Sequence, residues 1–291
     1  MIKTITNFRM LCVAVLFVLS VPATSMAQWY DPATKPAWTI QVSEEQLTNP
    51  IDRPDDIQQK QREMSAQVSL SKKDSNLEAT LTRIDIRILM GEAEIDPIGK
   101  EALEKVSYKI PWGNDHSAAK PFPTQDMDAT LWSAAEPMAE FFTKVLQLCL
   151  PRLKAEDLQP GRFWSTTNEI QAALEGAPGV SSPVYIFFTV SDRQPCDAGT
   201  CVQVFQILHF SSFQRRPMGN SIIGVDLDGF GLVTTRIRIE DQSLLSSRGT
   251  LSMEIDTISH LSLGLPPVYA VHTTSQTDFE FYPSEAFSSR R

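Results

Sequence analysis

Two runs of β-branched and aromatic residues stand on either side of the sequence RQPCDAGTC, and together they commit this region of the chain to β-structure. PVYIFFTV occupies residues 183–190 and CVQVFQILHF occupies residues 201–210. Two such runs, separated by a short polar segment that contains glycine, predict a β-hairpin. Both runs are apolar at consecutive positions, so each predicted strand has apolar side chains on both faces and needs cover on both.

The N-terminus predicts export. Residues 1–9 carry Lys3 and Arg9 without an acidic residue, an apolar run of 12 residues follows, and Ser25 and Ala27 form a small-residue cleavage site. This order is that of a signal peptide over residues 1–27. The apolar run is shorter than the roughly 20 residues of a membrane-spanning helix. We expect cleavage after Ala27, no transmembrane anchor after cleavage and an extracytoplasmic (periplasmic or secreted) protein, with an uncleaved anchor as the alternative.

Three cysteines remain after this cleavage: Cys149, Cys196 and Cys201. The spacing of Cys196 and Cys201 differs from that of a thioredoxin-type pair, and a structural zinc site would need two further ligands, none of which is near in sequence. Neighbouring thiols of an exported chain pair under oxidising conditions. We therefore predict a structural disulfide Cys196–Cys201, no metal site and a buried free thiol at Cys149.

A second hairpin is predicted from residue 64 onward. Apolar residues alternate through residues 64–70, the sequence KKDSN marks a turn, and alternation resumes at residues 77–81. The apolar positions then change phase, from Leu81 to Ile84, as they do where one strand carries an extra residue. This shift predicts a β-bulge near Thr82 and Arg83. KVSYKIPW, residues 105–112, is a further candidate strand.

The apolar period changes to three and four in residues 131–149, which predicts one amphipathic helix. Ser133 and Glu136 have the spacing of a capping box, and Pro137 suits the first turn of a helix. The regular part of the helix is therefore expected to begin near Ser133 or Glu136.

These segments predict an α+β, mostly antiparallel β fold, with about nine to eleven strands and one substantial helix packed on the sheets. Residues 28–58 contain several prolines and lack periodicity, which predicts an extended N-terminal arm or linker. The β-rich domain covers residues 59–285, as one domain or as two β subdomains joined by a helical segment near 127–160. Residues 286–291 are expected to form a C-terminal tail.

One acidic, glycine-containing segment resembles a calcium loop only in part. DLDGFG, residues 226–231, has Asp226 and Asp228 at the first and third ligand positions, but Phe230 and Ile237 stand at the fifth and twelfth. A tight turn between two strands is the preferred interpretation.

No motif nominates a catalytic residue or a cofactor. Asp115 and His116 are adjacent in a polar segment, while His209, His260 and His272 are scattered singly. A nucleophile elbow, a zinc-protease helix motif and a glycine-rich phosphate loop are all missing from the sequence. An active site would have to be assembled entirely by the fold.

The charge balance limits the partners. The chain carries a formal charge of −9, which becomes −11 once Lys3 and Arg9 are removed with the signal peptide. Nucleic acids and anionic bilayers bind basic surfaces, so neither is expected as a partner.

In its order of features, the sequence resembles secreted bacterial β-rich proteins of unknown function. The features are the early strand ATLTRIDIRI, the central step LQPGRFW, and the late segment GTLSMEID, within residues 64–282. This resemblance implies an extracytoplasmic β fold and assigns no functional residue.

These observations favour an exported, non-catalytic protein that binds an envelope protein or an apolar ligand. The most specific form of this hypothesis is a lipid or lipoprotein carrier, in which the helix covers a half-open sheet. The alternative is a periplasmic or surface hydrolase, for which His116 or another histidine would have to meet an acid and a nucleophile in one cleft.

Overall fold

The computed structural model describes residues 37–284, except for the segments 74–75, 96–99, 113–118, 125–126, 175–176, 197–198, 219–220 and 261–268. The predicted signal peptide 1–27 and the tail 286–291 lie outside the described residues, and so does the pair Asp115 and His116.

Thirteen strands and two α-helices make up most of the described chain. The strands are β1 (Trp38–Pro50), β2 (Gln58–Lys73), β3 (Asn76–Met90), β4 (Ala93–Ile95), β5 (Val106–Pro111), β6 (Lys120–Pro123), β7 (Phe163–Leu174), β8 (Ala177–Val190), β9 (Gln194–Cys196), β10 (Gly199–Met218), β11 (Ser221–Arg238), β12 (Leu244–His260) and β13 (Tyr269–Pro283). The helices are α1 (Lys100–Leu103) and α2 (Ala129–Cys149), and a 3-10 helix covers Ala155–Leu158.

The strand count corrects the predicted fold class. The structure is mostly antiparallel β with α2 as its one substantial helix in the described part, but thirteen strands exceed the nine to eleven predicted. The prediction missed short strands with little periodic signal, because β4, β6 and β9 have only three or four residues each. It also missed β7, which has consecutive polar residues after its first two aromatics.

The extended arm predicted for residues 28–58 is wrong over β1. Trp38, Ile40 and Val42 alternate in this strand and are buried, so the segment is part of the core. The next position on the same face is Glu44, whose carboxylate pairs with a guanidinium inside the fold. Because Glu44 interrupts the alternation of apolar residues on the buried face, the sequence of β1 lacks the period-two pattern that predicts a strand.

All thirteen strands belong to one antiparallel sheet. Its order is β6-β5-β3-β2-β1-β13-β12-β11-β10-β8-β7, with β4 paired to β3 and β9 paired to β10. The first and last strands, β1 and β13, therefore pair with each other in the middle of the sheet. The two ends of this order, β6 and β7, are the strands that flank α2 in the sequence.

Helix α2 lies against both ends of the sheet and against its middle. It contacts β5 and β6 at one end, β7 at the other, and β11, β12 and β13 between them, so the sheet curves around the helix. The helix begins at Ala129, where the side chain of Asp128 caps it by accepting a hydrogen bond from Leu131 N. The predicted start near Ser133 is wrong, because Asp128 supplies the cap one turn earlier.

The sheet has an inner face, which packs on α2, and an outer face. Along β10 the even-numbered residues from Val202 to Phe210 are buried on the inner face, while Ile207 and His209 are exposed on the outer face. The register assigns the neighbouring residues of β8, β11, β12, β13 and β1 to the same two faces.

Both predicted hairpins are confirmed. Strands β8 and β10 pair antiparallel, as do β2 and β3. In the second pair Ser65 faces Asp85 and Gln67 faces Thr82, so one residue of β2 lies opposite two of β3, and Arg83 has a φ of 51°. The bulge predicted near Thr82 and Arg83 is therefore confirmed as well.

The turn predicted for residues 226–231 is wrong, because this segment lies within the long strand β11. Gly229 faces Phe210 across the ladder, and a Cβ on Gly229 would stand 2.1 Å from the ring of Phe210. The glycine makes room for a buried aromatic ring instead of forming a turn.

Candidate binding surface

An unusual number of large apolar side chains lie exposed together on the outer face. They belong to four neighbouring strands, β7, β8, β10 and β11, and their exposed fractions range from 37 to 64%. We refer to them as the apolar band: Phe163, Tyr185, Phe187, Ile207, Phe230 and Leu232. Contiguous exposed apolar groups of this kind mark binding surfaces more often than chance, whereas single exposed apolar residues are normal.

The strand register makes the apolar band continuous. Phe187 faces Ile207, and Ile207 faces Leu232, so these three side chains form one row across three strands. In the next outer row His209 lies between Tyr185 and Phe230. Such neighbours are within reach of one another on one face of a sheet.

Aromatic stacking extends the band to the end strand β7. The rings of Phe163 and Phe187 are nearly parallel, with centroids 6.3 Å apart. The band therefore spans from an end of the sheet to β11.

Charged residues of opposite sign flank the apolar band along the strand direction. Arg236 of β11 and Arg248 of β12 lie beyond one end of the band. Asp228 and Glu254, which face each other on the same two strands, lie beyond the other end. The apolar band thus has a basic end and an acidic end.

A depression of about 310 Å³ opens beside the acidic end of the band. Its lining includes Glu45, His209, Asp228, Phe230 and Glu254. His209 Nε2 lies 3.8 Å from Asp228 Oδ1, and both side chains are more than half exposed. The depression includes Phe230 of the apolar band and His209 beside it, so the apolar band adjoins an acidic depression.

On the inner face, polar groups fasten α2 to the sheet. The buried side chain of Gln206 donates a hydrogen bond from Nε2 to Leu148 O near the end of the helix, and a second to Thr235 Oγ1. Thr235 Oγ1 lies 3.2 Å from Ser247 Oγ, and all three of these polar side chains are buried. Burial raises the pKa of the Cys149 thiol far above its ordinary value, so the thiol stays protonated and unreactive.

A second polar contact fastens the middle of the helix. Arg62 Nη1 lies 3.1 Å from Glu44 Oε2, with both side chains only 13% exposed, and the guanidinium lies over the ring of Phe141 on α2. Ser275 Oγ donates a hydrogen bond to the other oxygen of Glu44. Pairing and hydrogen bonding are what buried charges require, and these contacts account for the polar residues on the inner face of β1 and β2.

The structure contains the disulfide Cys196–Cys201, with the two Cα atoms 5.9 Å apart. It closes the short connection from β9 into β10. Cys149 is a free, buried cysteine.

The two histidines whose side chains the structure describes, His209 and His272, lie on separate strands and do not come together. His209 lies on β10 and His272 on β13, each beside an aspartate on the outer face, with His272 Nδ1 2.6 Å from Asp256 Oδ1. Neither of these two histidines is hydrogen-bonded to a serine, threonine or cysteine, so neither pair is the base of a triad in the described part of the chain.

Metal-binding clusters and membrane-spanning helices are both missing from the residues that the structure describes. Those residues hold no group of three or more His, Cys, Asp or Glu side chains placed to bind a metal ion. They also hold no helix that combines the length and apolarity needed to cross a membrane.

Sequence reasoning did not identify the apolar band as a site. The signal was present, since the runs at 183–190 and 201–210 are apolar on both faces and were expected to need cover. In the structure α2 and its surroundings cover the inner face, and the outer side chains of β8 and β10 remain exposed. Which of the two faces is uncovered depends on the tertiary fold.

The sequence matches no protein-family model and no curated protein. Among solved structures, one similar chain is the beta domain of the Bordetella autotransporter Brka, with 9% sequence identity over 85% of this chain and 98% of that chain. Its TM-score is 0.17, a level of likeness that carries no argument about fold or function.

Proposed function

We propose that this chain is an exported, non-catalytic binding protein whose partner covers the apolar band on the outer face. The observation that carries the proposal is the band itself: six large apolar side chains on four neighbouring strands, all at least one third exposed. Exposing so much apolar surface to water is unfavourable, at about 25 cal/mol per Å², and a partner that covers it recovers that free energy.

Export is the second part of the proposal. The predicted signal peptide over residues 1–27 and the disulfide Cys196–Cys201 both support an extracytoplasmic location, because disulfides persist in oxidising compartments. An envelope protein is the partner class that fits this location.

Site-specific photo-crosslinking tests the binding surface. A photoreactive phenylalanine analogue at Phe187 is expected to form a discrete covalent adduct in the native host envelope. The matched control places the analogue at Ser69, an exposed residue on β2 of the same sheet. Adduct yields from position 187 no greater than those from position 69 would contradict the proposal.

The carrier version of this function has one structural observation in its favour. The sheet curves around α2, and the helix is fastened to it by a few polar contacts at Gln206 and Arg62. Buried side chains of the helix, among them Phe142 and Leu146, now occupy the interior, so an apolar ligand would have to displace α2.

Native mass spectrometry of the protein, purified without detergent from its own host, tests this version. A co-purifying lipid supports a carrier. A mass equal to that of the protein alone contradicts the carrier and leaves the outer band as the binding surface.

A further inference from the structure

We infer that the partner of the apolar band is a second copy of this chain, docked through a two-fold axis that runs across the strands. The inference rests on the proposed function, because it names the partner of the same surface. It follows from how the charges and apolar side chains are ordered along β11.

Every second residue of β11 faces outward, and these residues have a nearly symmetric order. In the middle of the strand they are, in order, Arg236, Thr234, Leu232, Phe230 and Asp228, with Arg238 and Asp226 next on the two sides. A two-fold axis through the row of Leu232, parallel to the sheet and perpendicular to the strands, reverses this order in the second copy. Arg236 of each copy then lies over Asp228 of the other, and Leu232 lies over its own counterpart.

The same operation places apolar side chains against apolar side chains. Phe187 and Ile207 share the row of Leu232, so each also faces its own counterpart on the axis. Thr234 faces Phe230 of the other copy. The arrangement is an isologous interface, in which one patch serves both partners, and it resembles the aligned face-to-face packing of sheets in β-sandwiches.

The neighbouring strand adds charges of the right sign. Arg248 and Glu254 of β12 face Thr234 and Asp228 of β11, so they add to the positive and negative ends of the patch respectively. Oppositely charged ends of the two copies meet in this orientation only, because the other face-to-face orientation, with parallel strands, places Asp228 over Asp228.

The two-fold contact has a defined limit. On β13 the residue in the central row is Asp278, which would face its own counterpart. The interface therefore does not extend to β13. Because the sheet curves around α2, its outer face is convex, and the contact centres on β8, β10 and β11. Three strands about 4.8 Å apart and nine residues that rise about 3.4 Å each give roughly 440 Å² per copy. Standard stable interfaces bury about 800 Å² per partner, so a reversible dimer is expected.

A bilayer fits this face less well than a second copy does. The acidic end and the negative net charge of the chain repel anionic lipid headgroups, whereas the basic and acidic ends complement each other between two copies.

Sedimentation velocity over a range of protein concentrations tests the inference. The mature protein is expected to show a monomer–dimer equilibrium that shifts toward monomer as salt is raised. Ile207→Asp is expected to raise the dimer Kd by at least about tenfold. The matched control is Ile95→Asp, which changes a similarly exposed isoleucine on β4 and leaves the Kd unchanged.

A charge exchange tests the axis itself. Arg236→Glu and Asp228→Arg are each expected to weaken the dimer, and the double variant is expected to restore it, because the two charges are exchanged in both symmetry-related pairs. Near-ultraviolet circular dichroism of each variant checks that the fold is retained.

A crosslinking measurement gives a second, independent readout. A short bismaleimide is expected to join two copies through Leu232→Cys but not through Ser69→Cys, while buried Cys149 does not react.

A protein that stays monomeric at every concentration overturns the inference, and so does a dimer that Ile207→Asp leaves intact. The proposed function fails separately, when photo-crosslinking from position 187 yields no adduct of any kind. An adduct with a different protein, from a chain that sediments as a monomer, supports the binding surface and overturns the second copy as its partner.

Discussion

Gly229→Ala is the substitution whose consequence the structure defines most sharply. The glycine faces Phe210 across the β10–β11 ladder on the inner face. A Cβ at position 229 would lie 2.1 Å from Cζ and 2.3 Å from Cε2 of that ring. The ring is only 2% exposed, so it has no solvent to move into.

The magnitude follows from the distance. Carbon atoms in contact lie about 3.5 Å apart, so the ring would have to retreat by about 1.4 Å within a packed core. Overpacking of this kind costs about 1–3 kcal/mol. Because Phe210 is held by the rest of the core, we expect about 2–3 kcal/mol, which corresponds to a lowering of Tm by roughly 4–12 °C for a chain of this size.

Urea unfolding followed by circular dichroism measures this cost, with Gly224→Ala as the matched control on the same strand. A Cβ at Gly224 would be 3.7 Å from the ring of Phe213, which is ordinary contact, so the control is expected to change the free energy of unfolding by less than about 0.5 kcal/mol.

A double variant separates steric conflict from other causes. Phe210→Ala by itself removes a buried ring and costs about 3–5 kcal/mol, but it also empties the space that an added methyl group at position 229 would need. Adding Gly229→Ala to it should therefore cost almost nothing further. Equal costs for Gly229→Ala in the presence and absence of the ring would refute the steric reasoning.

Three further outcomes are expected from local contacts. Replacing Cys196 and Cys201 together by serine should lower the free energy of unfolding by about 2 kcal/mol, measured in urea, because the disulfide closes a short loop in the unfolded chain. Burial raises the pKa of the Cys149 thiol, so the folded protein loses stability as the pH rises above the ordinary thiol pKa, where the thiol of the unfolded chain ionises. The free energy of unfolding lost between pH 7 and pH 10 should therefore be smaller in Cys149→Ala than in the unmodified chain. Asp128→Ala should cost about 1 kcal/mol, because it removes the side chain that caps α2, and Asp128→Asn, measured alongside, should retain most of that stability.

Local patterns allowed the hairpins, the bulge and the cysteine pair to be predicted from sequence. In the β2–β3 hairpin the apolar residues follow the period of the pleat, and the phase shift at Arg83 records the extra residue directly. Near-neighbour relations of this kind do not depend on the rest of the fold.

Strand β1 and the glycines of β11 could not be predicted in this way, because distant residues determine them. Glu44 is tolerated inside the fold only because Arg62 of β2 pairs with it. Gly229 is required only because Phe210 faces it from β10. In both cases the partner belongs to another strand, and a local pattern gave a loop or a turn instead.

The candidate site lies between these two cases. Sequence reasoning indicated that VYIFF and VFQIL are apolar on both faces, and the structure places their outer side chains in one exposed band. The charged residues at its ends belong to β11 and β12, and only the register brings them into line with the band.

The pairing of β1 with β13 has a consequence for the order in which the protein is made. Trp38 pairs with Pro283 and stacks on Phe281 with ring centroids 4.7 Å apart, so β1 cannot complete its pairing until β13, the last strand of the described chain, has been synthesised. Until the final strand arrives, one side of β1 remains an open edge that invites pairing with other chains. Contacts so distant in sequence form slowly, so we expect the β1–β13 pairing at the centre of the sheet to form after the hairpins on either side of it.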